Sequence, residues 1–170
     1  MATAALERLE REINGETVAA ARTSLLARPL VDAAVDRWQT QAVMAGSSLA
    51  LRWHGGEARI DGDRCALAQA LDNLIVNAIE HGGSDVLVEA ETCPGRFRVS
   101  VGDRGRGSDR DPRRELRAGP IDRLRGRRRH GHGLRVVRRT AAAHGGDFRL
   151  RCFDRGAVAI LELPLSGEPA

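Results

Sequence analysis

In LAQALDNLIVNAIEHGG, apolar Leu67, Leu71, Leu74, Ile75 and Ala78 recur at helical spacing, so one stripe of residues 67–83 can face a core. A neighbouring stripe carries Asn73, Asn77, Glu80 and His81 at i, i+4, i+7 and i+8. One helix face therefore bears two amides, a carboxylate and an imidazole in a row. Asparagine is a poor helix former, so two of them one turn apart beside a core stripe need a reason beyond solvation. Asp63 is a suitable N-cap for this helix, and Gly82-Gly83 a suitable end.

Upstream, Leu6, Leu9, Ile13, Val18, Ala21, Leu25 and Leu26 fall near heptad spacing and predict a helix over Ala2 to Ala27. Arg28-Pro29-Leu30 predicts a break. Val31, Val35, Trp38, Ala42 and Val43 predict a second helix ending near Gly46. Ser48 to Trp53 and Ala58 to Asp61, around His54-Gly55-Gly56, read as a short strand pair. Downstream, Asp85 to Glu91 and Arg96 to Asp103 form a predicted hairpin through Thr92-Cys93-Pro94-Gly95. Phe97, Val99 and Val101 share one face of its second strand, and Asp103 falls in phase with them. Ser108 to His130 shows no periodicity and predicts a long loop, a length at which loops are usually functional. Gly133 to His144 returns to a helix, and Asp147 to Phe153 with Ala157 to Leu163 predicts a last hairpin.

Composition narrows the class. The chain has 170 residues and a 42% hydrophobic fraction, which suits one globular domain with a short extra element. Cys65, Cys93 and Cys152 are odd in number and widely spaced, which favours reduced thiols in a cytosolic setting over a zinc site or disulfide framework. No apolar run approaches the roughly 20 residues of a membrane span. All 27 basic residues are arginine, a compositional bias. Eleven of them lie between Arg104 and Arg129 against Asp109, Asp111, Glu115 and Asp122, so this segment carries +7 and the rest nets to −3 within the total of +4. The chain is a mildly acidic domain with one strongly basic segment.

Three chemical signals follow one another. The first is the Asn73/Asn77 helix face. The second is Asp103-Arg-Gly105-Arg-Gly107 closing a strand, and the third is Gly131-His132-Gly133-Leu134 opening a helix. Glycines after a strand let backbone approach a flat ligand closely. A Gly-rich turn feeding a helix N-terminus offers free N–H groups to phosphate. An asparagine oxygen is an acceptable Mg²⁺ ligand when phosphates and waters complete the octahedron. Each Gly pair is weak evidence alone; the ordered set with a lid-length loop between its last two members is much stronger.

On these residues the chain resembles the gyrase, chaperone, histidine kinase and mismatch-repair superfamily of Bergerat-fold (GHKL) ATPases, and within it the sensor histidine kinases. DNLIVNAIEHG is similar to that family's N box, DRGRG to its G1 box and GHGL to its G2 box. The resemblance covers roughly Leu30 to Leu165. It implies an α+β, two-layer sandwich in which a mixed, mainly antiparallel sheet carries helices on one face, plus an N-terminal helical stub. Residues 1–28 would be that stub, a candidate second arm of a dimerisation hairpin. Residues 29–166 would be the ATP-binding domain, with its lid over 108–130. The implied cofactors are ATP and Mg²⁺.

Residue by residue, the resemblance makes Asn77 the metal ligand and Asn73 the candidate catalytic residue. Asp103 would accept from the adenine amino group, and His81 would lie along adenine or ribose, with Glu80 beside it. Gly105, Gly107, Gly131, His132, Gly133 and Leu134 would shape the pocket and lid hinges. The implied partners are a phosphoacceptor-histidine dimerisation domain and a downstream response regulator, with a membrane involved only through other parts of a longer receptor. The expected location is cytoplasmic.

The departures are specific. Glu80 stands where many kinases carry a basic residue, no phenylalanine-containing F box lies between Gly107 and Gly131, and Gly156-Ala157 replaces Gly-Thr. None of His54, His81, His130, His132 or His144 stands in a phosphoacceptor setting, so the receiving histidine is expected outside this chain. An alternative within the superfamily is a stand-alone regulatory ATPase or anti-sigma-type serine kinase. Such kinases usually place Glu where this chain has Asn73. A nucleic-acid-binding module using Arg104 to Arg129 is the reading from another class. Interleaved acids and few aromatics (3%) count against it.

Overall fold

The computed structural model describes residues 22–81, 85–103, 132–153 and 156–167. In chain order the elements are β1 (Thr23–Leu26), α1 (Ala27–Met44), β2 (Ser48–His54), β3 (Arg59–Gly62), α2 (Arg64–His81), β4 (Asp85–Cys93), β5 (Arg96–Asp103), α3 (His132–Ala143), β6 (Asp147–Phe153) and β7 (Gly156–Pro164). The main sheet has five strands in the order β2-β4-β5-β7-β6. Its first pair is parallel and the others are antiparallel.

Alternation along the strands separates the two faces. Trp53, Ala90, Val99, Leu161 and Phe148 sit in one row across all five strands, and Leu51, Val88, Val101, Ala159 and Leu150 in the next. The helices cover that face. Val31, Ala34 and Val35 of α1, Leu67, Leu71, Leu74 and Ile75 of α2, and Val137 and Ala141 of α3 close one core against it. This is the α+β sandwich with helices on one face.

The opposite face is polar. Glu91, Arg98, Glu162 and Asp147 occupy one row from β4 to β6. Arg98 donates to Glu162 at 2.7 Å and to Glu91 at 3.0 Å, and Arg149 reaches Asp147 at 2.7 Å. Burial opposes the Arg98 charge, but hydrogen bonding and attraction from Glu162 outweigh it, so the guanidinium holds its proton above the ordinary arginine range. A side chain paired in this way can be half-buried without a net penalty.

Two local expectations are corrected. Residues 23–26, read as the end of a helix, form β1, which pairs antiparallel with β3 from Thr23↔Gly62 to Leu26↔Arg59. The heptad count runs on through Leu25 and Leu26, but the edge of β3 recruits these residues into extended structure. Helix α1 then starts at Ala27, so Arg28-Pro29-Leu30 lies in its first turn and is no break. Proline costs little there, because the amide it lacks has no intrahelical partner in a first turn. The rest of the expected N-terminal helix lies outside the described residues.

The second correction concerns β2 and β3, which are strands but not partners. β2 runs parallel to β4, from Ser48↔Asp85 to His54↔Glu91, and β3 joins β1. Parallel neighbours need a crossover, which β3 and α2 supply. The loop between β2 and β3 is held by Trp53, whose indole nitrogen donates to the Gly56 carbonyl at 3.2 Å. A Cβ on Gly55 would stand 2.6 Å from the Trp53 ring, so glycine is required for that close approach.

Candidate nucleotide-binding site

Helix α2 carries the centre of the site, and its start is fixed locally. Asp63 accepts from the backbone N–H groups of Cys65 at 2.8 Å and Ala66 at 3.2 Å, the side-chain cap expected from the sequence. The apolar stripe locks the helix rotationally, because Leu67, Leu71, Leu74 and Ile75 are fully buried. Asn73 and Asn77 follow beside that stripe, half-buried and one turn apart. Glu80 and His81, in the last turn, are exposed. His81 is the basic residue of that turn, where a cation suits the helix dipole.

Three elements bearing the chemical signals meet at α2, which packs against both β5 and α3. The Asn73 Oδ1 atom lies 3.4 Å from the point where a Cβ on Gly133 would stand, so the Asn73 face and Gly133 are neighbours in space. His132 is the first residue of α3. Leu134 is partly buried and packs on the core, which gives it an anchoring role for the start of α3. Val137, Thr140 and Ala141 continue the buried face of that helix.

Asp103 is the last residue of β5, paired in register with Val86 of β4. Phe97, Val99 and Val101 of the same strand are buried against the helices. Gly105, Gly107, Gly131 and the expected lid over 108–130 lie outside the described residues.

The donor set fits one kind of cation chemistry. Among the described residues no three His, Cys, Asp or Glu side chains gather into a metal cluster. Mg²⁺ does not need such a cage. It keeps several waters and takes its other ligands from substrate phosphates, so one half-buried amide oxygen at Asn77 suits it.

Sequence reasoning missed the side chains that hold α2 from either side. Asp72 accepts from Arg37 and Trp38 of α1, and His144 contacts the α2 cap. Asp72 and His144 were each visible as a polar residue beside an apolar stripe, but no spacing rule pairs them with partners 34 and 81 positions away.

Residues 62–167 match the model of the histidine kinase-, DNA gyrase B- and HSP90-like ATPases. The chain belongs to that family. It is 34% identical to the histidine protein kinase DivJ of Caulobacter vibrioides over 148 residues, covering 82% of this chain and 24% of that protein. It is 35% identical to the sensor-like histidine kinase SenX3 of Mycolicibacterium smegmatis over 98 residues, covering 54% of this chain and 26% of that protein. The chain thus spans about a quarter of the length of these curated relatives.

Solved structures agree on the fold. A histidine kinase from Burkholderia phymatum superposes with a TM-score of 0.68 at 24% identity, over 92% of this chain and 76% of that one. The catalytic domain of the histidine kinase ThkA superposes with a TM-score of 0.65 at 22% identity, over 85% and 97%. Within its family the chain is an ATP-binding catalytic domain of the histidine-kinase kind.

Proposed function

We propose that this domain binds Mg-ATP and supplies its γ-phosphoryl group to a histidine on a dimerisation domain, from which a response regulator is served. The observation that carries the reading is the approach of Asn73 on α2 to Gly133 on α3. It brings the amide-bearing helix face beside the first turn of α3, whose free N–H groups suit phosphate.

The roles follow from residue chemistry. Asn77 offers one oxygen to Mg²⁺, and Asn73, one turn away, orients groups on the phosphate side. The backbone N–H groups at the start of α3 receive phosphate oxygens. Asp103 at the end of β5 selects the base, and His81 lies along adenine or ribose. When bound, Mg²⁺ neutralises charge on the β- and γ-phosphates. The protein contributes mainly positioning and fixed donors, which suits a loose phosphoryl-transfer transition state. Glu80 brings a negative charge where a cation would help, so compensation falls to the arginines of residues 104–129, in or near the expected lid. The setting proposed for the domain is the cytoplasmic side of a two-component sensor. Among the described residues, no helix is long and apolar enough to cross a membrane.

Calorimetric titration with ATP, with and without Mg²⁺, tests this reading. The wild-type chain should bind with a metal-dependent heat. Asn77→Ala should lose that dependence while circular dichroism shows an intact fold. Wild-type binding by Asn77→Ala would sink the metal assignment, and no binding by the wild type would sink the nucleotide reading.

A further inference from the structure

His144, just past the end of α3, is buried with both ring nitrogens engaged. Nδ1 lies 2.7 Å from the Thr140 carbonyl, which can only accept, so Nδ1 carries the proton. Nε2 lies 3.0 Å from the backbone N–H of Asp63, which can only donate, so Nε2 is the acceptor. The ring is therefore a neutral, oriented bridge between the last turn of α3 and the N-cap of α2. The end of β3 closes against the same ring. A Cβ on Gly62 would stand 2.7 Å from Cδ2 and 2.9 Å from Nε2 of His144. From the other side Arg22, which enters β1, donates to the Ala143 carbonyl.

We propose that His144 is a positioning residue for the nucleotide site, setting the antiparallel register of α2 against α3. The inference rests on the function proposed above. Asp63, capping the start of α2, meets His144 past the end of α3, and Asn73, midway along α2, meets Gly133 in the first turn of α3. Asp63 to Asn73 and Gly133 to His144 each span about 15 Å of helix at 1.5 Å per residue. These two helical segments of similar length transmit a register fixed at one contact to the other. A slip of one bridge atom would then change the gap between Asn73 and Gly133. His144 touches no substrate; it acts through the helices. An ångström of misplacement can cost about 10²-fold in a positioned reaction, so the corner has leverage on the site.

Three substitutions in the full chain separate the bridge from simple packing. His144→Leu fills a similar volume without an acceptor and should weaken Mg-ATP binding roughly tenfold. His144→Gln can place Oε1 where Nε2 stood, accept from Asp63, and keep affinity within about threefold, given the same leverage. His144→Asn reaches only the Nδ1 position and should behave like the leucine variant. Phe97→Leu, in the sheet core, serves as a control with a comparable loss of thermal stability and unchanged affinity. Nitrogen-15 spectra without nucleotide give a second readout. The Gly133 amide and the Asn73 side-chain amide should shift in the Leu and Asn variants and return in Gln.

Unchanged binding by His144→Leu, equal losses in Leu and Gln, or an equal loss in Phe97→Leu would each overturn the positioning role. If the wild type bound no nucleotide, the functional reading would fall by itself. The Asn73 and Gly133 resonances would still decide whether His144 sets their geometry: no shift in the Leu variant rejects it.

Discussion

Asp72, the residue before Asn73, accepts a hydrogen bond from the Trp38 indole nitrogen at 2.8 Å. Arg37 donates to both oxygens of the same carboxylate, at 2.6 and 2.5 Å. Helix α2 is therefore tied to α1 along the edge facing away from α3, while Asn73 points to the α3 side. The Arg37 side chain is 49% exposed, so solvent screens most of its ion pair. The part-buried indole N–H is the more costly donor to leave without an acceptor.

Asp72→Ala should lower unfolding stability by about 1–3 kcal/mol, mostly through that orphaned N–H. Arg37→Met should cost less, roughly 0–1 kcal/mol, as a screened surface pair does. Urea denaturation of both variants checks the order. A larger loss for Arg37→Met would mean that the ion pair, and not the indole bond, holds the two helices.

Thiol reactivity gives a second test. Burial pushes the Cys93 thiol up; Arg98 opposes this, and Glu91 and Glu162 reinforce it. Cys65 and Cys152 are exposed. A raised thiol keeps its proton to higher pH and presents less of the reactive thiolate at any given pH. Iodoacetamide at pH near 8 should therefore label Cys65 and Cys152 first and Cys93 last, with the gap narrowing as pH rises. The linked stability has the same sign. It is complete below the unfolded thiol value of 9.0 and declines as pH climbs through the higher folded one. Labelling of Cys93 at the rate of the exposed pair would show that its partial burial does not protect the thiol.

Much of this was legible from local patterns. The α2 stripe, its Asp63 cap and the alternation of Phe97, Val99 and Val101 each follow from a single period, and the folded chain keeps all of them. The GHGL segment beside Asn73 was legible only as an ordered set of short signals. Pairing was less legible. β2 and β3 have the composition of a hairpin, yet β2 finds β4 across a helical crossover, a choice made by the core under α2. Leu25 and Leu26 continue a heptad count and still become a strand, because β3 offers a free edge. The bridge from His144 to Asp63 spans 81 positions, and no local period encodes it.

Base selection is the sharpest consequence of the proposed site. Asp103 ends β5 in phase with Phe97, Val99 and Val101, which are buried. We expect its carboxylate to accept from an exocyclic amine of the bound base. Adenine offers that amine, whereas guanine presents a carbonyl at the equivalent ring position. A desolvated anion facing an oxygen is repelled and left without a donor, a penalty of roughly 1–3 kcal/mol. ATP should therefore bind at least about tenfold more tightly than GTP, since 1.4 kcal/mol corresponds to one decade. Asp103→Asn can turn its amide to donate to the guanine oxygen, so it should weaken ATP and narrow the gap. Competition titrations of both nucleotides against both proteins measure the two ratios. Equal ATP and GTP affinities in the wild type would make Asp103 an ordinary strand-end carboxylate and move base recognition elsewhere.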